Sequence, residues 1–234
     1  MQGGITTLSQ AAGLAFADMP RRETAADLAV AYVKKQIWLG NLRPGDRLSP
    51  VDVARAFGIS ETPVREAVAV LAQQGRLIVH KHRGFFVGPF DVTHLVDHYD
   101  LLGLVYSWAV QRCTKRVTAE GRVALSSLAD LLGECTLPAE LYRTVKAIEH
   151  LVYTTAGSYS AENAARTLEG VVPDDIYSWV PRSAPLAQES IAAIVKAVCE
   201  GDADGAAERA KSFFAAHAVL VIDQLTVDGI FSDQ

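Results

Sequence analysis

Apolar and polar positions alternate in two different rhythms along this chain. From Glu23 to Leu39 they recur with a helical period, with Val30, Val33 and Ile37 on one face and Lys35 off it. Asn41 to Asp46 breaks the pattern, and Pro44-Gly45 has the signature of a turn. A short helix is predicted from Pro50 to Phe57, capped by Ser49, with Val53, Ala54 and Phe57 as its apolar side and Gly58 as its stop. The next helix begins at Ser60 or Thr62, both good N-caps, and Pro63 is tolerated in its first turn. Val64, Ala67, Val68 and Leu71 form its buried stripe, and Glu61, Thr62, Arg65, Ala69 and Gln73 its other face. After Gly75 the rhythm changes. Leu77–Lys81 and Phe85–Gly88 read as two strands joined by a tight turn at His82-Arg83-Gly84, a hairpin with a basic tip.

From Asp91 onward almost everything reads helical. Leu95, Tyr99, Leu102, Tyr106 and Ala109 recur every three or four residues, in a stretch reaching about Thr114. Further helical segments lie near 118–133, 138–156, 160–168, 184–200 and 203–226, interrupted around 171–175 and 181–185. The expected fold is mainly α: a winged helix-turn-helix over residues 22–90, then an all-α bundle over 91–234. Residues 1–21 read as a flexible tail.

A helix set against a supporting turn can lie in a DNA major groove, and a basic hairpin can reach phosphates or the minor groove. The candidate DNA-contacting residues are therefore Ser60, Glu61, Thr62 and Arg65 on the helix, and Lys81, His82, Arg83 and Gly84 on the wing. Arg65 is the one best placed for a phosphate or guanine. Glu61 is the discordant residue. It has two readings: a first-turn acid that favours the helix dipole, or an acceptor for a cytosine N4 amine.

Charge sharpens this division. Residues 1–90 carry eleven Lys/Arg against seven Asp/Glu, and residues 91–234 eleven against twenty. A mildly basic head on an acidic body suits a polyanion-binding unit attached to a regulatory or oligomerising one. Half the residues are hydrophobic, enough for a substantial core. No uninterrupted apolar run reaches the ~18 residues that span a bilayer. The N-terminus has no basic segment before its short apolar patch, so no secretion signal is expected. Cys113, Cys135 and Cys199 are odd in number and widely spaced, which fits free thiols in a reducing cytoplasm. There is no nucleophile elbow, phosphate-cradling glycine loop or HExxH, so no enzyme and no cofactor are expected.

The string GNLRPGDRLSPVDVARAFGISETPVREAVAVLAQQGRLIVHKHRGFFV closely resembles the winged-helix domain of GntR-type bacterial transcription regulators. The matching pieces are the turn before Leu48-Ser49, Val53 to Ser60, Thr62 to Ala67 (TPVREA), Leu71 to Gly75, and Arg83 to Val87. Two departures stand out. The family usually carries an arginine where Glu61 stands, and often a basic residue where Val51 stands. Losing both should weaken binding and flatten its salt dependence.

The helical remainder resembles, more loosely, the effector-binding and dimerisation domain of the FadR-like subfamily, called FCD. The resemblance rests on length, helix order and the segment Ile191 to Ala210. Many such domains hold a metal through one aspartate and three histidines. Here His150 matches the first histidine, but Lys146 stands at the aspartate and Ile191 and Phe213 at the other two. A lysine repels a cation, so no metal is expected; the alternative is a shifted register in which His150 and His217 meet. His94 and His98 stand at i and i+4 and read as facing solvent or the wing. The implied effector pocket, lined by Leu102, Tyr106, His150, Ile191, Phe213 and His217, is expected to be mostly apolar, or to have filled in. The resemblance implies a cytoplasmic homodimeric regulator, by family habit a repressor, whose partners are a pseudo-palindromic operator duplex and a small-molecule effector. The alternative is a degenerate regulator that binds DNA weakly and acts as an interaction protein.

Overall fold

In the computed structural model, residues 24–169 and 172–231 are described. The tail expected over 1–21 lies outside them. The elements are α1 (Ala25–Trp38), β1 (Arg47–Leu48), α2 (Pro50–Phe57), α3 (Glu61–Gln73), β2 (Leu77–His80), β3 (Gly84–Val87), α4 (Val92–Thr114), α5 (Ala119–Glu134), α6 (Pro138–Ala156), α7 (Tyr159–Glu169), α8 (Ile176–Trp179), α9 (Ser183–Glu200) and α10 (Ala203–Val227). The fold is mostly helical, with an N-terminal winged helix-turn-helix and a helical C-terminal region. Contacts divide the described residues into two compact units. One holds residues 24–98, 166–169, 172–174 and 221–231; the other holds 99–165 and 175–220.

Local chemistry accounts for the elements of the first unit. Thr24 and Asp27 form a reciprocal capping box at the start of α1. That helix buries Ala29, Val33, Ile37 and Trp38, whereas Val30, expected on the inner face, is half-buried. Ser49 Oγ accepts the Asp52 N–H at the head of α2, Pro50 fills its first position, and Gly58 ends it in the left-handed conformation. Val64, Ala67, Val68 and Leu71 are almost wholly buried on α3. Arg76 N–H donates to the Leu71 carbonyl at 2.8 Å across Gly75, whose φ of +71° closes the helix.

The strands form one antiparallel sheet in the order β1-β3-β2. Leu77 faces Val87 and His80 faces Gly84 across the hairpin, and Arg47 faces Phe86 on the other side of β3. The sequence reading missed β1. Its two residues carry no alternation of their own, and β3 supplies the backbone partner that makes them a strand. The Pro44-Gly45 turn is tied to the same strand, since Gly45 N–H donates to the Val87 carbonyl and Val87 N–H to that of Asp46. The hairpin turn lies one residue earlier than expected, over Lys81-His82-Arg83, with His82 at φ 66°.

In the second unit the buried faces of α4, α5, α6, α9 and α10 supply the core, with Tyr106, Leu125, Leu128, Ile148, Ile191 and Ile194 among its most enclosed side chains. Arginines stitch helix ends together. Arg112 Nε and Arg116 Nη1 both donate to the Ala156 carbonyl at the end of α6, and Arg122 donates to Val198 and Cys199 at the end of α9. The bonds to Ala156 and Cys199 serve last-turn carbonyls of the kind a helix end leaves short of partners, while the Val198 carbonyl also accepts the Gly201 N–H. All three cysteines are free thiols, and burial pushes the Cys113 thiol up to about 11. By length and composition α10 is the one described helix that could cross a membrane. Its Ala206, Ala210, Phe213, Phe214 and His217 are nevertheless buried in the unit's own core.

Candidate nucleic-acid interface

The outward face of α3 begins at its first residue. Ser60 stands at the N-cap position, but its side chain makes no cap bond. Ser60, Glu61, Thr62 and Arg65 are all exposed. Glu61 and Arg65, one turn apart, form an ion pair with Nη2 3.1 Å from Oε2. The i, i+4 order with the acid first is the favourable one on a helix. Lys81, His82 and Arg83 are exposed on the hairpin turn, and Gly84 is half-buried. The Arg83 guanidinium lies 5.9 Å from the centre of the Phe86 ring.

One basic residue of this face was not foreseen. Arg47 is exposed on β1 beside the hairpin, and a Cβ built on Gly84 would lie 3.5 Å from its Nε. The signal that could have found it is the strand pairing, which places Arg47 against Phe86. Val51, where the family's second basic residue is often found, is exposed and apolar. Arg55, one turn along α2, pairs with Asp52 at 3.3 Å.

His94 and His98 separate. His94 is exposed and its Nδ1 lies 2.9 Å from Asp91, which also caps α4. Of the two orientations expected for the pair, solvent or the wing, burial rules out solvent for His98. It is buried, and burial followed by the nearby positive charge of Arg76 depresses its pKa to about 4. Arg76 is itself pushed down to about 10 by burial.

The residues proposed for an effector pocket lie in the second unit. Leu102, Tyr106, Ile191, Phe213 and His217 are buried and His150 is half-buried. Ring contacts join Tyr106 to Phe214, Phe214 to Phe213 and Phe213 to His217 at centroid distances of 5.7, 5.1 and 5.6 Å. His217 Nδ1 lies 3.0 Å from the Tyr99 hydroxyl. The interior is more polar than the expected apolar lining. Lys146, the residue at the aspartate position, places its Nζ 2.7 Å from Glu149 Oε2, and both side chains are largely buried. The Tyr106 hydroxyl is buried with no hydrogen-bond partner among the described residues. Burial, then the charge of Glu149, raises its pKa, with Lys146 pulling the other way. Burial alone depresses His217 to about 4, so its imidazole is neutral at pH 7. Among the described residues, no group of three His, Cys, Asp or Glu side chains converges as metal ligands. Glu149 went unnoticed in the sequence, where charged residues on an amphipathic helix read as solvated.

The three helices and wing agree with the comparisons. Residues 25–87 match the family model described as bacterial regulatory proteins, gntR family. The N-terminal segment is a GntR-type winged helix. An uncharacterized HTH-type transcriptional regulator of Mycobacterium tuberculosis is 34% identical over 92 residues, 39% of this chain and 38% of its own length. The Nta operon transcriptional regulator of Aminobacter aminovorans is 27% identical over 133 residues, 56% of this chain and 62% of its own. The matched segments thus cover less than two thirds of either relative. Among solved structures, E. coli McbR/YncC superposes with a TM-score of 0.64 at 18% identity, over 87% of this chain and 99% of that one. At that identity the likeness speaks for the fold, and it extends well beyond the GntR-type head.

Proposed function

We propose that this protein is a sequence-specific, DNA-binding transcriptional regulator of the GntR type, not an enzyme. The observation that carries the reading is the exposed surface of the winged helix. Thr62 and Arg65 on α3 and Lys81, His82 and Arg83 on the turn are exposed, while α3 buries Val64, Ala67, Val68 and Leu71 on its inner face. Arg65 is assigned to a phosphate or a guanine, Thr62 and Ser60 to the backbone at the helix entry, and the wing residues with Gly84 to flanking phosphates. The helical unit is assigned to the FCD type of the FadR-like subfamily, acting in the cytoplasm as a homodimer on a pseudo-palindromic operator. Leu101, Leu104 and Trp108 support the dimer reading, being 50, 55 and 44% exposed along one side of α4. A small-molecule effector bound among Leu102, Tyr106, His150, Ile191, Phe213 and His217 would shift the balance between two arrangements of the heads, most simply to release a repressor.

A second reading, a weakly binding interaction protein, is favoured by one observation: Arg65 is already paired with an acid on its own helix. Titrating salt during binding to the DNA upstream of the protein's own gene separates the two. The regulator reading expects a sequence-specific complex that weakens as salt rises, less steeply than if Glu61 and Val51 were the cations usual at those positions. No specific complex near ~50 mM salt would overturn it.

A further inference from the structure

Resting on the DNA-binding reading above, we infer that Glu61 and Arg65 act as one unit that reads the major-groove edge of a single G·C pair. The starting point is their geometry. The acid is the first residue of α3 and the arginine lies one turn on, joined by a 3.1 Å contact through one guanidinium nitrogen and one carboxylate oxygen. Both remain substantially exposed, at 46 and 62% of the side chain. An exposed pair of this kind contributes little to the helix. Neither residue is buried or needed for packing.

The pair has no net charge, so it gains little from phosphate, and its carboxylate repels phosphate outright. What it retains is directional. A guanidinium has five N–H donors in a planar fork, and the contact through Nη2 leaves enough of them for a bidentate bond. A carboxylate has two oxygens, and Oε1 is free of the Arg65 contact. Side by side they present two donors followed by an acceptor. A G·C pair presents the complementary row in the major groove: guanine N7 and O6 accept, and the cytosine N4 amine donates. An A·T pair offers acceptor, donor, acceptor, which sets one Arg65 donor against the adenine N6 amine and the Glu61 acceptor against thymine O4. Arg65 alone would accept a guanine or a phosphate. Glu61 confines it to the guanine whose partner amine it can bind.

The test is selection from a randomised duplex library by the full-length protein, comparing the native chain with Glu61→Gln and Arg65→Ala. Melting curves check that these exposed changes leave the fold intact. The native protein should enrich sites with one invariant G·C position per half-site, preferred over A·T by ~10-fold or more. Glu61→Gln removes the charge but keeps the shape. It should bind unrelated DNA more tightly and prefer G·C at that position by less than about 3-fold, because an amide pairs as well with adenine. Arg65→Ala should lose the preference and most of the affinity. If Glu61→Gln tightens binding to every sequence and leaves the selected motif unchanged, Glu61 is only a phosphate repellent and the paired reading is overturned while DNA binding stands. If the native protein enriches nothing over the input library, the DNA-binding reading fails and this one with it.

Discussion

Two buried histidines make acid stability a quantitative test of the packing. His217 is held neutral by burial among Tyr99, Tyr177 and Phe213, and His98 by burial beside Arg76. Each has a folded pKa of about 4 against an ordinary value of 6.5. Because the folded value is depressed, the unfolded chain binds more protons between these two pH values, and stability rises with pH there. The full contribution is present above pH 6.5 and is lost as pH falls toward 4. Between pH 8 and pH 5 each histidine withdraws about 2 kcal/mol, so the two together withdraw about 4 kcal/mol of a typical total of ~5–15 kcal/mol. The assay is urea unfolding at both pH values for the native chain, His98→Gln, His217→Gln and the double variant. Carboxylates contribute equally to all four proteins, so the comparison isolates the imidazoles. Each single variant should reduce the pH-dependent loss by about 2 kcal/mol. If His217→Gln loses as much stability on acidification as the native chain, or if its imidazole titrates near 6.5 in the folded protein by NMR, the burial argument is wrong.

Gly88→Ala places a Cβ 2.5 Å from the Gly75 carbonyl oxygen, where the wing returns to the end of α3, and should cost about 1–3 kcal/mol, read as a fall in melting temperature of several degrees. Tyr106→Phe removes a buried hydroxyl without a partner among the described residues, and should stabilise the protein by about 1 kcal/mol; destabilisation would mean that the hydroxyl is bound by water or a ligand. Arg122→Ala strips the bonds to the Val198 and Cys199 carbonyls and should cost about 1–3 kcal/mol in the same assay. Replacing Leu104 and Trp108 together with Glu should shift the protein to monomer in light scattering without lowering its melting temperature at low concentration.

How much of this was legible in the sequence depended on whether the cause was local. The limits of α2 follow from Ser49, Pro50 and Gly58, each of which acts on its own backbone, and they were read to the residue. The stripe on α3 was read because four apolar positions agree on one face. β1 was not read, because a two-residue strand exists only by virtue of its distant partner β3. On α1 the hydrophobic pattern favoured Val30, but Ala29 is the residue fully buried and Val30 only half-buried. The Glu61–Arg65 contact was available from its i, i+4 spacing alone. It was obscured by treating each residue as a separate DNA contact.

In the helical unit a charge on an amphipathic helix reads as solvated, which concealed a second pair, and the two cases differ in a way that bears on function. Glu61–Arg65 and Lys146–Glu149 are both pairs within one helix, at 3.1 and 2.7 Å. The first is exposed, so separating it costs a few tenths of a kcal/mol and Arg65 is readily available to a base edge. The second is largely buried, with side chains 22 and 11% exposed, so water replaces the contact poorly and separating it costs more. Lys146 is therefore not a spare cation awaiting any passing anion. A ligand that engaged it would compete with the Glu149 carboxylate.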